Sequence, residues 1–325
     1  MTASISGAGL YAIPRRSLTR AAGCENHWPR MELFREQVLL LISVPVILVA
    51  IVLEIVLTHF HGVRAYTWRE TVTNFYLAAL NGSLDLLLRA VVVLPALAWS
   101  WQHRLLDPQH GWFYWVALFV LEDFVYYALH FVDHHCRFFW AVHVTHHSSE
   151  EFNLTTGFRS SVFQPLYRTV YFLPLAWLGF QPLDILFMYA ATQIYGSFVH
   201  TETIRNMGWL EHLLVTPSHH RVHHASNARY LDKNMGMCLI IWDKLFGTFQ
   251  AEEAAEPPKY GLTKNLPNRG PLNIVFHEWR DMLRDLRSSR LPWWRRLGYV
   301  LRGPGWRPEA AQDPEVPCGN RIGIP

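Results

Sequence analysis

The sequence predicts an all-α integral membrane protein, and three observations lead to that fold class. Half of the 325 residues are hydrophobic and only 17% are charged, below the roughly 25% of an ordinary soluble domain. The apolar residues are gathered into runs long enough to cross a bilayer as helices. Twelve of the eighteen histidines lie between positions 130 and 224, next to such runs. We therefore expect membrane helices with a histidine-rich region at one end.

The chain opens with a polar tail, residues 1–36, which carries five arginines. The tail lacks the apolar core and small-residue cleavage site of a secretory signal, so the first membrane segment is expected to be retained. That segment, VLLLISVPVILVAIVLEIVLT at 38–58, spans about 30 Å as a helix, enough to cross the hydrocarbon core. Glu54 is its only ionisable group.

The membrane anchor, residues 37–110, contains a second apolar segment at 75–100. Its Asp85 and Arg89 are one helical turn apart and are expected to neutralise each other. Basic residues gather in the two tails, a pattern that marks the cytoplasmic side of a membrane. An odd number of complete crossings before the first histidines would separate the tails. A break in this second helix is therefore expected at NGSLD, residues 81–85.

The third segment, WFYWVALFVLEDFVYYAL at 112–129, opens the histidine-bearing region 111–250. Two shorter apolar segments, 162–180 and 183–199, predict a helical hairpin that enters the bilayer and returns. The C-terminal tail, 251–325, begins at the charged, proline-containing linker AEEAAEPPK. Later in this tail, LPWWRRLGYVLRGPGWRP mixes Trp with Arg. Such a pattern is typical either of a helix in the headgroup zone or of a helix that packs on its own domain.

The histidines form three spaced groups, HxxxH from His130, HxxHH from His143 and HxxHH from His220, with His200 between the last two. Residues three or four apart share a helix face, so two imidazoles of one group can reach the same ion. Burying so many unpaired imidazoles near a bilayer would cost several kcal/mol, and a metal removes that cost. Asp123 shares a helical face with His130. We expect its carboxylate to accept the second ring N–H of a ligand histidine.

The donor set narrows the choice of metal. The four cysteines are widely separated and form no CxxC pair, which argues against structural zinc and iron–sulfur clusters. A mononuclear zinc hydrolase needs about three ligands, so nine imidazoles are too many for one ion. Two adjacent ions fit the count. Imidazole suits iron, and two redox-active irons can use O2 to attack an unactivated C–H bond of a lipid.

Residues 111–250 resemble the fatty acid hydroxylase and sterol desaturase superfamily, whose members carry these three histidine boxes. The stretches THHSSEEFNL, TPSHHRVHH, DKN and IIWDKLFGTF look most like the alkylglycerol monooxygenase branch. Glu150 is similar to a functionally important acidic residue of that branch, although an acidic residue here also suits helix capping or a salt bridge. The resemblance implies a di-iron centre, with His219 as a weaker candidate ligand beside His130, His134, His143, His146, His147, His200, His220, His223 and His224.

The resemblance implies O2-dependent oxidation of a membrane lipid, with two iron ions and an external reductant, either tetrahydrobiopterin or a separate electron-transfer protein. Alkylglycerol monooxygenases hydroxylate the carbon beside the ether oxygen of an ether lipid, and the product breaks into an aldehyde and glycerol. A sterol or carotenoid hydroxylase or desaturase is an alternative, because hydroxylation and desaturation begin with the same hydrogen abstraction. A non-catalytic membrane metal-binding or transport protein is the alternative from another class. The active face is expected on the cytoplasmic side, and nothing indicates a nucleic-acid partner.

Overall fold

The computed structural model describes residues 30–62, 65–289 and 291–308. Regular structure in these residues is helical, and β-type pairing among them is limited to two isolated bridges. The prediction of an all-α fold is confirmed. The arginines predicted to mark the N-terminal tail at positions 15, 16 and 20, and the last residues, 309–325, lie outside the described residues.

Three helical rods within the described residues are long and apolar enough to cross a membrane. The first is α1 (Arg30–Phe60) and the third is α4 (Trp112–His135). The second is continuous and consists of α2 (Trp68–Leu88), a π-helical turn (Arg89–Val93) and α3 (Leu94–Gln102). Many large apolar side chains of α1 are exposed on the protein surface, as expected of a helix that faces lipid.

The predicted break at residues 81–85 was wrong. Helix α2 passes through this stretch without interruption, and the irregularity comes later, in the wider turn at Arg89–Val93. Small polar residues in a helix disturb it when they bond to nearby backbone. The Asn81 amide instead donates to the Ser161 carbonyl at 2.7 Å, on a neighbouring segment. This bond satisfies the amide and leaves the α2 backbone intact.

The histidine-bearing region adds α5 (Arg137–His147) and a hairpin of α6 (Pro165–Trp177) and α7 (Pro182–Phe198) to helix α4. The hairpin corresponds to the two predicted shorter apolar segments. Its helices pack with α3 and α4 around an apolar core. Two short helices follow, α8 (Pro217–His223) and α9 (Ile241–Phe246).

Helix α10 (Pro271–Ser288) packs on α5 and is followed by two short turns, α11 (Trp293–Arg296) and α12 (Gly298–Leu301). Ile274 and Met282 are buried on its inner side, in agreement with the helical spacing of the sequence.

Charged groups of the membrane helices pair with each other. The ion pair predicted between Asp85 and Arg89 is present, at 3.2 Å. Arg89 also pairs with Glu36 of α1, and Asp85 with Arg168 of α6. Because unpaired charge in a membrane is costly, this chain of alternating charges joins three helices at little electrostatic penalty.

Helices α1 and α4 end, and α2 begins, at the end of the bundle where the histidines lie, which we call the histidine end. Glu54, the single ionisable group of the first apolar run, fastens α1 there. Its carboxylate accepts the Leu154 N–H at 2.9 Å and the hydroxyl groups of Tyr66 and Thr201. These bonds compensate the desolvation of a carboxylate that is only 5% exposed. They also connect α1 to two loops beside the histidines.

Candidate metal centre

Two neighbouring helices bring the first two histidine boxes together. His130 and His134 lie one turn apart on α4, which ends where Cys136 adopts an extended backbone conformation. The chain reverses there, and α5 presents His143 and His147, also one turn apart. His143 Nε2 lies 3.0 Å from His130 Nε2 and 3.1 Å from His147 Nε2. Three rings from two helices thus point at one another.

The third box approaches from the other side. It lies on α8 and its C-cap residue, and His200 follows closely after α7. His220 Nε2 is 2.9 Å from His200 Nε2 and 3.2 Å from His224 Nε2. His200 Nε2 is also 3.4 Å from His146 Nε2. The second box therefore contributes rings to both sides of the centre.

The structure brings all nine predicted histidines into two adjacent groups, each with its ring nitrogens within 4.8 Å of one another. The rings of His147 and His224, one from each group, have centroids only 4.5 Å apart. Two ions held by these groups would be neighbours. The first group consists of His130, His134, His143, His147 and His223, and the second group of His146, His200, His220 and His224.

His219, the weaker candidate, lies outside both groups. Its Nδ1 is 3.2 Å from the Leu214 carbonyl oxygen and 3.3 Å from the Thr216 nitrogen at the start of α8. The ring forms a capping box with Thr216, an arrangement that stabilises a helix N-terminus. The structure therefore gives His219 a place in the helix cap, next to the ligand-bearing turn.

One loop, residues 232–235 (DKNM), orients three rings of the first group. Asp232 and Asn234 both have φ of 55°, a left-handed conformation that Asn and Asp tolerate better than most residues. The acceptors are the Asp232 carboxylate and the backbone carbonyls of Lys233 and Met235. The His134 Nδ1–H donates to Asp232 at 3.2 Å, and the His223 Nδ1–H donates to the Lys233 carbonyl at 2.9 Å. The His130 Nδ1–H donates to the Met235 carbonyl at 2.8 Å.

Two further carbonyls orient rings of the second group. His146 donates its Nδ1–H to the Arg159 carbonyl at 2.9 Å, and His200 to the Gly196 carbonyl at 2.7 Å. A side chain at Gly196 would lie 2.3 Å from the Met237 sulfur, so glycine permits this close packing. A proton on Nδ1 leaves Nε2 with a free lone pair. The lone pairs of these rings therefore point into the centre.

Burial keeps the imidazoles neutral. It lowers the pKa of His146 to about 4, and it holds the pKa well below the ordinary value for His143, His147, His200, His220, His223 and His224. Neutral rings whose lone pairs face one another repel, and the buried Nε2 atoms of His134 and His223 have no hydrogen-bond partner. Cations would satisfy these nitrogens. The residues thus fit two ions of a metal that favours imidazole, such as iron.

The predicted contact between Asp123 and a ligand ring was wrong. Asp123 lies seven positions before His130, which is about 10 Å along a helix. The Asp123 carboxylate accepts the backbone N–H groups of Cys238 and Leu239 at 2.8 and 3.1 Å and the Trp242 indole N–H at 2.9 Å. It fixes the segment after Met235, so its effect on the rings is indirect.

Asp133, which the sequence analysis missed, is the carboxylate of α4 that approaches a candidate ligand ring. Its Oδ2 lies 3.7 Å from His143 Nδ1. The Tyr167 hydroxyl and the Gln164 amide donate to it at 2.7 and 3.0 Å. The sequence did contain one indication of this role, because Asp133 lies inside the first box, directly before His134.

Replacing Asp232 with glycine is expected to weaken metal binding about 10- to 100-fold, the usual effect of losing an outer-shell partner of a ligand histidine. The Asp232→Gly change removes the acceptor of His134, and glycine tolerates the positive φ. Lys233→Ala is the matched control, because it keeps the carbonyl that accepts from His223. Metal retention during dialysis against a chelator measures the difference, and equal retention in the two variants would contradict this role.

Arg159 links the second histidine box to a membrane helix. Its guanidinium is fully buried and donates to Glu70 at 3.1 Å, to Asn74 at 2.9 Å and to the Thr145 carbonyl at 2.9 Å. Burial lowers its pKa to about 10, which leaves it charged at neutral pH. Thr145 directly precedes His146, so the guanidinium ties α2 to the ligand-bearing turn of α5.

Glu150 lies at the protein surface. Its carboxylate is 3.5 Å from the Arg269 guanidinium, and its side chain is 39% exposed. The structure thus shows the salt bridge that was the alternative explanation for this residue.

A cavity of about 880 Å³ opens beside the second group at the histidine end of α1. Its lining mixes apolar residues with carboxylates and two arginines. Phe152 belongs to this lining, and its ring centroid is 5.2 Å from that of His224 and 5.5 Å from that of His200. Tyr260 stacks on Phe152 at 4.9 Å. The volume is in the range of small-molecule sites, and Phe152 contacts both the cavity and the rings of the second group.

Comparison with known proteins gives the same family as the histidine boxes. Residues 115–248 match the family model described as fatty acid hydroxylase. The chain is 36% identical to alkylglycerol monooxygenase of Homo sapiens over 74% of its own length and 53% of that protein. It is 29% identical to an ornithine lipid hydroxylase of Rhizobium tropici, over 58% and 56% of the two chains. A Delta(7)-sterol 5(6)-desaturase of Gibberella zeae is 25% identical over half of each chain.

The chain spans about half the length of the curated relatives that it matches. No solved structure matches it. All nine converging histidines lie within the matched residues, so the resemblance stated from the sequence is confirmed.

Proposed function

Because residues 115–248 belong to the fatty acid hydroxylase family, we propose that this chain is a non-haem di-iron oxidoreductase that uses O2 to hydroxylate or desaturate a C–H bond of a membrane lipid. The two adjacent histidine groups carry the proposal. The proposed position is the carbon beside the ether oxygen of an alkylglycerol lipid, since alkylglycerol monooxygenases are relatives at 34 to 37% identity.

When bound, two iron ions would supply the redox chemistry that activates O2 towards an unactivated C–H bond. The nine imidazoles would hold them, and the loop 232–235 keeps three rings in the tautomer that binds metal. Hydroxylation places one oxygen atom of O2 in the C–H bond and reduces the other to water, which consumes two electrons and two protons. An external reductant must supply the electrons. Tetrahydrobiopterin or a separate electron-transfer protein is the proposed source.

The cavity beside the second group is the proposed entrance for the lipid. Leu57 and Thr58, near the histidine end of α1, line this cavity. Leu53 and Leu57 expose about half of their surface next to it, so an alkyl chain can follow α1 while the polar headgroup occupies the mixed cavity. Phe152 and Tyr260 shield the centre from water on this side. We propose that the histidine end faces the cytoplasm, because the arginines of α10 and α11 lie there.

The purified chain, loaded with iron under reducing and anaerobic conditions, is expected to contain about two irons and to oxidise lipid when O2 is admitted. A panel of an alkylglycerol, an ornithine lipid and a sterol tests the substrate, and aldehyde release identifies attack beside an ether oxygen. His146→Ala is expected to remove the activity, because His146 is one of four rings in the second group. Stoichiometric zinc without O2 consumption would refute the proposal.

The desaturase relative keeps a second outcome open. A lipid product with a new double bond, and water as the reduced product of O2, would indicate a desaturase with the same centre. The transport alternative is less well supported. Transport requires ligands along a path through the bilayer, whereas the nine rings converge at one end of the bundle.

A further inference from the structure

Helix α10 and the two short turns after it carry an exposed apolar side. Leu272, Phe276 and Leu283 share one helix face because they are four and seven residues apart. All three are substantially exposed. Trp293 and Trp294 of α11 extend this side and are 71% and 59% exposed. We call the surface formed by α10, α11 and α12 the C-terminal surface.

Arginines border the apolar residues of the C-terminal surface. Residues 271–308 contain eight arginines, no lysine and three acidic residues. Two of those acids, Glu278 and Asp285, pair with Arg137 of α5 at 2.6 and 2.7 Å on the inner side of α10. The third acid, Asp281, is partly exposed and pairs with Arg284 at 3.1 Å. Because eight arginines face three acids, the surface keeps a net positive charge. Arg280, Arg284 and Arg287 lie on the exposed face of α10 next to Leu283.

The C-terminal surface is fastened at the histidine ends of two membrane helices. Ile274 and Val275 of α10 pack with Leu77 of α2. The rod from α2 to α3 is about 50 Å long, roughly 20 Å longer than the hydrocarbon core. Leu77 lies about 14 Å from the histidine end of that rod. This distance is shorter than the roughly 20 Å by which the rod exceeds the hydrocarbon core. The Arg302 carbonyl accepts the Arg137 N–H at 2.9 Å, directly after α4 ends.

We propose that the C-terminal surface lies on the headgroup zone of the membrane and binds anionic lipid. Exposed tryptophans suit the membrane interface, where an amphipathic ring meets both water and apolar chains. Clusters of arginines next to membrane helices attract anionic headgroups. A zwitterionic leaflet would leave the excess of arginines uncompensated. Because α10 packs on α5, lipid binding at this surface also fixes the orientation of the helix that carries three ligand rings.

The test uses the full chain in nanodiscs of phosphatidylcholine alone or of phosphatidylcholine with phosphatidylglycerol. Backbone hydrogen exchange over residues 291–302 is the readout, so the result does not depend on lipid oxidation. One basic residue near an anionic leaflet changes binding by roughly fivefold, and we expect exchange to slow by at least that factor with phosphatidylglycerol. Arg284→Gln/Arg287→Gln is expected to lose most of this difference.

Arg229→Gln/Lys259→Gln is the matched control. It removes the same charge from exposed residues of the loop region before α10, and it is expected to respond to phosphatidylglycerol as the unchanged chain does. Equal exchange of the unchanged chain in both bilayers would overturn the proposal. So would an equal loss of response in the two double variants, since net charge alone would then explain the effect.

Discussion

His220→Ala is expected to lose the metal ion of the second group together with lipid oxidation, whereas His219→Ala keeps both. The two residues are neighbours, but their rings differ in surroundings. His220 Nε2 lies within 3.2 Å of two other ring nitrogens, while His219 Nδ1 faces the backbone at the start of α8. Loss of a direct ligand should exceed the 10- to 100-fold effect of losing an outer-shell partner.

Metal content per chain measures this prediction. If each group holds one ion, the His220→Ala variant should fall from about two ions to one, because the five rings of the first group remain. The His219→Ala variant should lose only helix-cap stability, typically about 1 kcal/mol. Full metal retention in His220→Ala, or equal losses in the two variants, would show that the groups do not hold ions as described.

Sequence spacing was sufficient to find the eight rings of the three boxes, because the periodicity of a helix is fixed by its geometry. The ninth ring, His200, lies outside the boxes and was included only because of the family resemblance. The spacing did not predict which ring belongs to which of the two groups. Adjacent residues on a helix point about 100° apart, and the second box therefore sends His146 to the second group and His147 to the first. Which group each ring joins depends on where α8 and the end of α7 lie, and no local pattern encodes that position.

The hydrogen-bond acceptors that orient the histidine rings could not be predicted from local sequence patterns either. Asp123 and Asp133 are both on α4, and helical phase alone favoured Asp123 as the partner of a ligand. The loop after Met235 engages Asp123, while α6 places Tyr167 and Gln164 on Asp133. Most other acceptors are backbone carbonyls, which any residue type can supply. The DKN motif could be recognised, but its use of two positive φ angles could not.

The break expected at residues 81–85 failed for a related reason. Asn, Gly and Ser have low helix propensity. The basic residues in both tails also favoured placing the tails on the same side of the membrane, which would require one segment that does not fully cross. Tertiary contacts outweighed both signals, since the Asn81 amide bonds across to Ser161. The apolar runs themselves were a reliable guide, because membrane helices need a minimum length of such residues.

Arg159→Met is expected to destabilise the chain strongly, with a fall in melting temperature on the order of 10 °C. Removing one member of a buried ion pair typically costs about 3–5 kcal/mol, since the partner keeps its charge without compensation. Here the loss would leave Glu70, which is 2% exposed, with the partly exposed Arg269 as its charged partner and the neutral Ser149 hydroxyl as a donor. The Asn74 side-chain oxygen would lose its Arg159 donor, and the Thr145 carbonyl would keep the Ser148 hydroxyl and backbone N–H. Thermal unfolding in detergent measures the effect.

Arg269→Met is the control, because it removes the other arginine from the same carboxylate but leaves the buried network in place. It should cost much less. A Glu70→Gln/Arg159→Met double variant should be less destabilised than the two single changes predict together, as expected of residues in one network. The network also holds the turn before His146, so Arg159→Met should lose metal from the second group before the first. Additive losses, or uniform loss of both ions, would instead mean that Arg159 stabilises the fold without positioning the centre.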